Sequence, residues 1–418
     1  MIPPTVDQKG GVFRIGWQEG VHAIVDRFHE DAKYTVTAEV SLYMNLENTP
    51  EMNTGHIHQA RVNLTSTPAK KTLARALEER MVGHAFVDWS ALVEQLCVGV
   101  LRAYRQGEPV KQLKGKAPPS EYHYQLNPIL PKSAPTILYG PGGLGKSYLA
   151  VYFALLIQSE LPMTGLWPTQ GNVLYLDYED GDDELQQRVY AIKQGLGSIG
   201  EDVAIHYRYC HQVLASEIPE IQRLCAELDI SMIIVDSLGG ATAGMVNDSE
   251  TNTRFFNAIR SMRVTCLIID HVSKEGGDKG PIGSVFKYNR ARSVWEMKKN
   301  QEEGDAFSKV ALYHRKMNGG KIQKPLGYEL QFEGDPANKV TITKIDPKKD
   351  VSLSQFASLP DKIEAVLDNG AMNTTDLAEE IGAKLDHVRV TLSRNRQRFI
   401  RLQDGTWGVL AKPGDDGP

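Results

Sequence analysis

The 418-residue chain has few cysteines and no long apolar run. Its four cysteines stand far apart, and no two of them have the spacing of a zinc site or a redox motif. They are Cys97, Cys210, Cys225 and Cys266, and we expect them to be core thiols in a reducing cytoplasm. No apolar run approaches the roughly 18 residues of a membrane span, and the N-terminus lacks the pattern of a secretory signal. The sequence therefore predicts a soluble, cytoplasmic protein.

A surplus of positive charge is also missing. The formal net charge is −5, so the chain as a whole has no electrostatic signature of nucleic-acid binding. Any contact with a polyanion must come from a local basic patch. The hydrophobic share of 41% argues against disorder, and at this length we expect about two or three domains.

Composition and periodicity divide the chain into three regions and a linker. Residues 1–115 combine alternating strand patterns with helical periodicity, which predicts a small α+β domain of unknown role. Residues 116–131 are rich in proline and follow a cluster of lysines that ends at Lys116, and they are interpreted as a linker. In the first region His56 and His58 lie two apart on a strand, but without a third ligand a solvated pair is favoured over a metal site.

Residues 132–346 alternate apolar runs with helical patterns. Strands buried on both faces are predicted at 172–177, 203–207, 232–236 and 264–270. This alternation is typical of an α/β fold in which helices cover a mostly parallel sheet. Ligands of such folds bind at the carboxyl ends of the strands.

A phosphate loop stands at the start of this region. Its residues are Gly140, Pro141, Gly142, Gly143, Leu144, Gly145, Lys146 and Ser147, with Tyr148 beginning the helix that follows. In the G-x-x-x-x-G-K-[ST] pattern, backbone N–H groups surround the phosphates, the lysine reaches the β and γ oxygens, and the serine binds magnesium. The strand before it and the helix after it argue against a chance glycine-rich turn. We therefore predict that residues 140–148 bind ATP and that Ser147 is a ligand of Mg²⁺.

Carboxylates suited to ATP hydrolysis end two neighbouring strands. Asp236 follows the loop by about 90 residues and is predicted to hold magnesium directly or through water. Glu179 follows the strand 172–177 and is our candidate for the general base that activates water. The alternative is an acidic N-cap of the helix beginning near Asp182, a role that suits Asp180 better.

His271 ends another predicted strand of the same region. At that position we expect its imidazole to face the γ-phosphate and to relay its presence to residues 273–283. The alternative is a structural histidine.

Together these segments resemble the RecA-like ATPases of the RepA type, hexameric helicases of plasmid and phage replication that are related to DnaB-type helicases. The resemblance covers residues 132–346, and its segments are 140–147, 175–180, 234–238, 271–274 and 283–284 with Arg290 and Arg292. It implies a ring with ATP bound between subunits. It also implies an arginine finger from the neighbouring subunit, which stabilises charge in the transition state.

Counted from residues 283–284, Arg292 best matches the finger position of the RepA-type family, and Arg290 comes next. Arg315, in a basic strand end, resembles the finger position of DnaB-type rings. Each of these arginines has the ordinary alternative of pairing with a surface carboxylate. Lys274 and Lys279 lie in a loop that would face the ring channel, where they contact DNA or remain surface lysines.

Residues 353–411 resemble the winged helix-turn-helix family. Helices are predicted at 362–367, 374–382 and 385–398, and a hairpin turns at residues 404–405. Six basic residues between 384 and 401 stand against one acid, Asp386. The predicted DNA contacts among them are Lys384, Arg389, Arg394, Arg396 and Arg398. A winged helix that docks on protein is the alternative.

The combined interpretation is an ATP-hydrolysing DNA motor, a ring-forming replicative helicase of a phage, plasmid or other mobile element. Its N-terminal region would contact a replication partner. The alternative is a regulatory or recombination protein that uses ATP and the same fold without unwinding DNA. A third interpretation makes the nucleotide purely structural.

Overall fold

The computed structural model describes residues 4–9, 11–18, 20–44, 55–82, 87–107, 110, 112–115, 117, 123–179, 181–197, 202–243, 248–271, 285–301, 305–348, 350, 353 and 356–410. Asp180, Lys274, Lys279 and residues 283–284 lie outside these ranges, so their predicted roles stay predictions. Among the helices described, none is both long and apolar enough to cross a bilayer. The four cysteines are buried thiols, as predicted.

The N-terminal part is a five-stranded antiparallel sheet covered by helices. Its elements are β1 (Thr5–Lys9), β2 (Val12–Gly16), β3 (Val21–Glu30), β4 (Val36–Met44), β5 (His56–Asn63), α1 (Thr67–Arg80) and α2 (Trp89–Gln106). Buried side chains of the strands and of both helices form one cluster, which includes Val40, Leu77 and Leu96. The α+β arrangement expected for this region is therefore present.

The end of the predicted linker is regular structure. Residues 124–131 form β6 (Tyr124–Asn127) and β7 (Leu130–Pro131), which join a small sheet with β9 (Trp167–Pro168). Leu126, Ile129 and Leu130 are almost completely buried in the largest core cluster of the protein. The prolines suggested irregular structure, but proline is tolerated in short edge strands, and the apolar residues between them have a core to enter.

The central sheet has nine strands in the order β11-β10-β12-β13-β8-β14-β15-β16-β17. Six of them are parallel: β8 (Pro135–Gly140), β10 (Asn172–Asp177), β11 (His206–Tyr209), β12 (Ile230–Asp236), β13 (Thr265–His271) and β14 (Ser293–Asn300). An antiparallel extension follows, made of β15 (Phe307–Met317), β16 (Leu326–Glu333) and β17 (Lys339–Ile345). The phosphate-loop strand β8 lies inside the parallel part. This topology confirms the predicted α/β class with a mostly parallel sheet.

Helices cover both faces of this sheet. They are α3 (Lys146–Ser159), α4 (Asp182–Leu196), α5 (Ile218–Glu227), α6 (Leu238–Ala241), α7 (Ser249–Met262) and α8 (Val285–Arg290). In β12, Met232 and Ile234 pack with α3 and α4, whereas Ile233 and Val235 pack with α5 and α7. Burial on both faces explains why the parallel strands are continuous apolar runs rather than alternating patterns.

One strand boundary differs from the prediction. The apolar run 203–207 predicted a strand, but β11 begins only at His206 and extends to Tyr209. Val203 and Ile205 are apolar because they pack against the core cluster beside α4, before the chain begins to pair with β10. The apolar run therefore predicted the burial of these residues correctly, but it placed the start of the strand too early.

The C-terminal part contains helices α9 (Leu359–Leu367), α10 (Thr374–Ile381) and α11 (Leu385–Arg394), followed by a hairpin of β18 (Phe399–Arg401) and β19 (Trp407–Val409). Ile363, Leu377, Val388, Leu392 and Phe399 are its core. The third helix is shorter than predicted, because the backbone N–H of Asn395 closes the last turn on Thr391 and the chain then turns into β18.

Arg398 is a partly exposed member of an ion-pair cluster. Its guanidinium donates to Asp361 at 2.7 Å and to Glu364 at 2.5 Å, and Lys348 also contacts Glu364. Burial acts to raise the pKa of Glu364, but the hydrogen bonds from Lys348 and Arg398 outweigh it and lower the pKa to about 2. Arg398 is therefore already paired with Asp361 and Glu364, and its predicted role in DNA binding stays a prediction.

The N-terminal sheet packs directly on α5 of the central fold. Arg223 on α5 lies 3.5 Å from Asp26 of β3, a carboxylate that is 1% exposed. Arg27 lies 3.1 Å from Glu220, and Arg14 donates to the carbonyl of Ala226. Because α5 leads into β12, this contact ties the N-terminal sheet to the strand that ends at Asp236.

Replacing Leu126 by alanine tests whether the end of the predicted linker belongs to the core. Because this side chain is fully buried, we expect the change to cost about 2–5 kcal/mol of unfolding free energy. The measurement is the urea midpoint of the full-length protein. Leu113→Ala is the matched control, since Leu113 is 93% exposed and lies just before the linker. Equal midpoints for the two variants would contradict the assignment.

Candidate active site

Strand pairing brings the predicted site residues to one edge of the central sheet. His271 lies opposite Gly140 where β13 pairs with β8, and Asp177 lies opposite Asp236 where β10 pairs with β12. All four residues are at the carboxyl ends of their strands, where ligands bind in this class of fold. The register therefore assembles residues that are far apart in the sequence.

The phosphate loop has two positions at which glycine is required. Gly145 caps α3 with φ of 88°, a left-handed conformation that is strained for other residues. At Gly140 a Cβ atom would stand 2.6 Å from the carbonyl oxygen of Met297, so a side chain has no room there. The loop is thus fixed between β8 and α3, with β14 packed against its first residue.

The ammonium group of Lys146 is turned into this loop. Its Nζ donates to the carbonyls of Gly140 at 2.9 Å and Pro141 at 2.7 Å, and lies 3.4 Å from Nδ1 of His271. Burial lowers the pKa of Lys146 to about 8, although Asp236, Glu179 and Asp270 act in the opposite direction. A cation held by neutral carbonyls in a desolvated loop is suited to receive an anion.

Ser147 and Asp236, the two predicted magnesium ligands, are in contact. The Ser147 side chain hydrogen-bonds Asp236, and the hydroxyl of Tyr175 donates to Oδ2 of Asp236 at 2.5 Å. Burial raises the pKa of Asp236, and these two hydrogen bonds oppose that effect. A hydroxyl and a carboxylate fit the oxygen ligands that Mg²⁺ prefers.

Protein side chains do not form a complete metal cage here. In the part of the chain that the structure describes, no group of three or more His, Cys, Asp or Glu could hold a metal ion. Ser147 and Asp236 together offer two oxygen ligands, which fits a cation that takes its other ligands from phosphates and water.

Glu179 faces the same edge as Lys146. Its Oε1 accepts a hydrogen bond from the Ser237 hydroxyl and lies 3.5 Å from Nε2 of His271. The hydrogen bond with His271, together with Ser237 and the charge of Lys146, lowers the pKa of Glu179 below its ordinary value despite burial. Glu179 is therefore an ionised carboxylate that can accept a proton.

Asp177 holds the turn that carries Glu179, a role that the sequence analysis missed. Its carboxylate accepts the backbone N–H groups of Glu179 and Gly181, both at 2.9 Å, and the hydroxyl of Tyr207 at 3.1 Å. Helix α4 begins at Asp182 as predicted, but its N-cap residue is Gly181 and no side chain caps it. Glu179 is therefore not an N-cap.

A cavity of about 700 Å³ extends from the phosphate loop toward β15 and β16. Tyr148 and Phe332 form one aromatic wall, with ring centroids 5.4 Å apart and edge to face. The guanidinium of Arg188 lies 5.9 Å above the Tyr148 ring, and Lys299 donates to the carbonyl of Gly143 at 3.0 Å. Such a wall suits a planar ring. No motif marked Phe332, Arg188 or Lys299 in the sequence.

The three candidate arginines lie away from this cavity. Arg292 is exposed and precedes Ser293, which pairs with Thr136 at the opposite end of β8 from the phosphate loop. Arg290 donates to the hydroxyl of Thr253 at 3.1 Å. Arg315 is paired with Glu296 at 2.7 Å, so the alternative of a carboxylate partner holds for it.

The remaining predicted DNA contacts are surface residues near α11. Lys384, Arg389, Arg394 and Arg396 are exposed. Arg389 lies 3.7 Å from Asp386, a weak contact between two exposed groups. These cations are more exposed than Arg398.

Comparison with known proteins agrees with the site geometry at the level of the ATPase class. The family profile described as AAA domain matches residues 104–277, which include the phosphate loop, Glu179, Asp236 and His271. No curated protein matches the sequence. One similar solved structure is that of a KaiC-like protein from the hyperthermophilic archaeon Pyrococcus horikoshii. The two sequences are 14% identical, the TM-score is 0.41, and the match covers 55% of this chain and 100% of that chain. The profile match and the loop support a nucleotide-binding ATPase.

Tyr175→Phe tests whether Asp236 contributes to a metal site. The substitution removes the donor to Oδ2 of Asp236, so we expect nucleotide affinity in the presence of magnesium to fall about tenfold, and affinity in EDTA to stay unchanged. Tyr152→Phe is the matched control, because Tyr152 is equally buried and its hydroxyl bonds Thr164 inside the core. The measurement is fluorescent-nucleotide titration. Identical losses with and without magnesium would contradict the role of Asp236.

Proposed function

We propose that this protein is an ATP-driven DNA motor, a ring-forming replicative DNA helicase of a phage, plasmid or other mobile element. The observation that carries the proposal is the convergence of Lys146, Ser147, Glu179, Asp236 and His271 at the carboxyl edge of the parallel strands. This set contains a group for each requirement of phosphoryl transfer to water.

The proposed roles follow from the contacts. Lys146 binds the β and γ oxygens by exchanging its loop carbonyls for phosphate oxygens. Ser147 and Asp236 would hold magnesium, which neutralises charge on the phosphates when bound. Glu179 accepts the proton of the attacking water, and Ser237 and His271 fix its carboxylate. The cavity wall of Tyr148 and Phe332 receives the base.

His271 also supports a sensing role. It lies 3.4 Å from Lys146 on one side and 3.5 Å from Glu179 on the other, so a γ-phosphate bound by Lys146 would change the surroundings of its ring. Residues 272–284 follow directly in the chain. The imidazole is therefore placed to link the phosphate state to that segment.

Oligomerisation enters the proposal through Arg292. Its position at the far end of β14 keeps it from the phosphate loop of its own chain, and its exposure leaves it accessible to a second copy. A trans arginine finger needs both properties. Arg315 is the weaker candidate because it would have to leave Glu296.

DNA binding is supported by the exposed cations of the C-terminal part. Lys384, Arg389, Arg394 and Arg396 lie close together in the sequence on and after α11, the position of the recognition helix in the winged-helix resemblance. Single-stranded DNA in a ring channel, with Lys274 and Lys279 as contacts, is part of the same proposal. A replication partner for the N-terminal sheet completes it.

The second candidate is an ATP-dependent regulatory or recombination protein that does not unwind DNA. It is favoured by the appended C-terminal bundle, which would suffice to target the protein to DNA. Both candidates require ATP hydrolysis, so an ATPase assay alone does not separate them.

Strand displacement from a forked DNA substrate separates the two functions. The motor predicts displacement that needs ATP and magnesium. Glu179→Gln is the matched control: it keeps the side-chain volume and should bind ATP and DNA while lowering turnover at least about a hundredfold, because the proton acceptor is lost. ATPase activity stimulated by DNA, but without displacement, would contradict the helicase and support the regulator.

Mixing two inactive variants tests Arg292 as a finger in trans. We expect Arg292→Ala to bind ATP but to hydrolyse it about 10³-fold more slowly. Lys146→Ala should be inactive in its own site while still presenting Arg292 to a neighbour. Mixed rings should therefore regain part of the phosphate release that each protein alone lacks. Wild-type turnover of Arg292→Ala, or no recovery on mixing, would contradict the assignment.

A further inference from the structure

A buried ion pair lies directly behind the active site and has no role in the chemistry described so far. Nζ of Lys287 on α8 lies 3.2 Å from Oδ2 of Asp270 and 3.5 Å from Oδ1. The Lys287 side chain is 0% exposed and that of Asp270 is 3% exposed. Burial raises the pKa of Asp270, and the charge of Lys287 acts to lower it. Burial likewise lowers the pKa of Lys287, and the charge of Asp270 acts to raise it.

A buried ion pair of this kind contributes little to the free energy of unfolding. Removing two charges from water is costly, and apolar residues of similar volume often fill such a position at no loss. Lysine and aspartate at this place therefore call for a specific reason. That reason is indicated by the residue next to Asp270.

Asp270 holds the backbone of His271. The N–H of His271 donates to Oδ1 of Asp270 at 2.9 Å, while the ring of His271 lies between Lys146 and Glu179. Lys287 donates to the same carboxylate from the other side. A chain of contacts thus runs from Lys287 through Asp270 to the backbone of His271, whose imidazole lies beside the general base.

We propose that Lys287 is a positioning residue for ATP hydrolysis, which acts through Asp270 to fix the imidazole of His271 between Lys146 and Glu179. The inference rests on the proposed ATPase function. It predicts that loss of Lys287 slows hydrolysis without weakening nucleotide binding, because neither Lys287 nor Asp270 lines the cavity that receives the nucleotide.

A double-mutant cycle between Lys287 and His271 tests the proposal in the full-length protein, with ATP, magnesium and single-stranded DNA. We expect Lys287→Met to lower kcat about tenfold and to leave KM for ATP within about twofold, as misplacement of a catalytic group does. In the His271→Ala background the same substitution should have no further effect on kcat. Additive losses would overturn the proposal.

Two charge-free double variants cover the case in which Lys287→Met alone does not fold. Asp270→Asn with Lys287→Met keeps an oxygen acceptor for the His271 N–H, whereas Asp270→Leu with Lys287→Met removes it at similar volume. Both proteins lack Lys287, so kcat should fall about tenfold in both, because nothing then fixes the side chain at position 270. Wild-type kcat in a folded double variant would overturn the proposal, since a purely structural pair replaced at similar volume predicts no loss of kcat.

The controls separate this inference from the proposed function. A wild-type protein that hydrolyses ATP, combined with additive losses in the cycle, overturns only the role of Lys287. A wild-type protein without ATPase activity overturns the proposed function and this inference with it.

Discussion

The pairing of β13 with β8 is the constraint on which the active site depends. It places His271 opposite Gly140, and thereby sets an imidazole beside the ammonium of Lys146. The pairing of β10 with β12 places the two acidic strand ends, Asp177 and Asp236, opposite each other. Because all of these strands are parallel, their polar ends collect at one edge while their apolar residues stay between two layers of helices.

Charges at this edge are tolerated because each one has a partner. Lys146 is held by carbonyls, Asp236 by Tyr175 and Ser147, and Asp270 by Lys287. Removing one member of such a set leaves a buried polar group unsatisfied, which costs more than the contact itself contributed. The apolar helix α3 and the cores on both faces of the sheet supply the stability that this arrangement requires. The N-terminal sheet, docked on α5, adjoins the same framework.

Motif and periodicity predicted the parts of the structure that depend on local chemistry. The phosphate loop, the apolar strands and the capped helices of the C-terminal part have signals within about ten residues of sequence. Asp177, Tyr175 and Phe332 had no such signal, because their roles depend on strand order and register. The ion pairs of Arg398 had no signal for the same reason: a basic cluster in the sequence does not show that Asp361 and Glu364 fold back onto one of its members. The length of the linker was overestimated, because its prolines were given more weight than the apolar residues Leu126 and Leu130.

The central claim is that residues 140–147 bind the phosphates of ATP so that water can attack the last of them. The most direct measurement is release of orthophosphate from ATP by the purified protein with magnesium and DNA, compared with Lys146→Ala. The account predicts turnover by the wild type and its loss in the variant, because Lys146 is the cation that binds the β and γ oxygens. Equal release by both proteins, or none by the wild type, would contradict it.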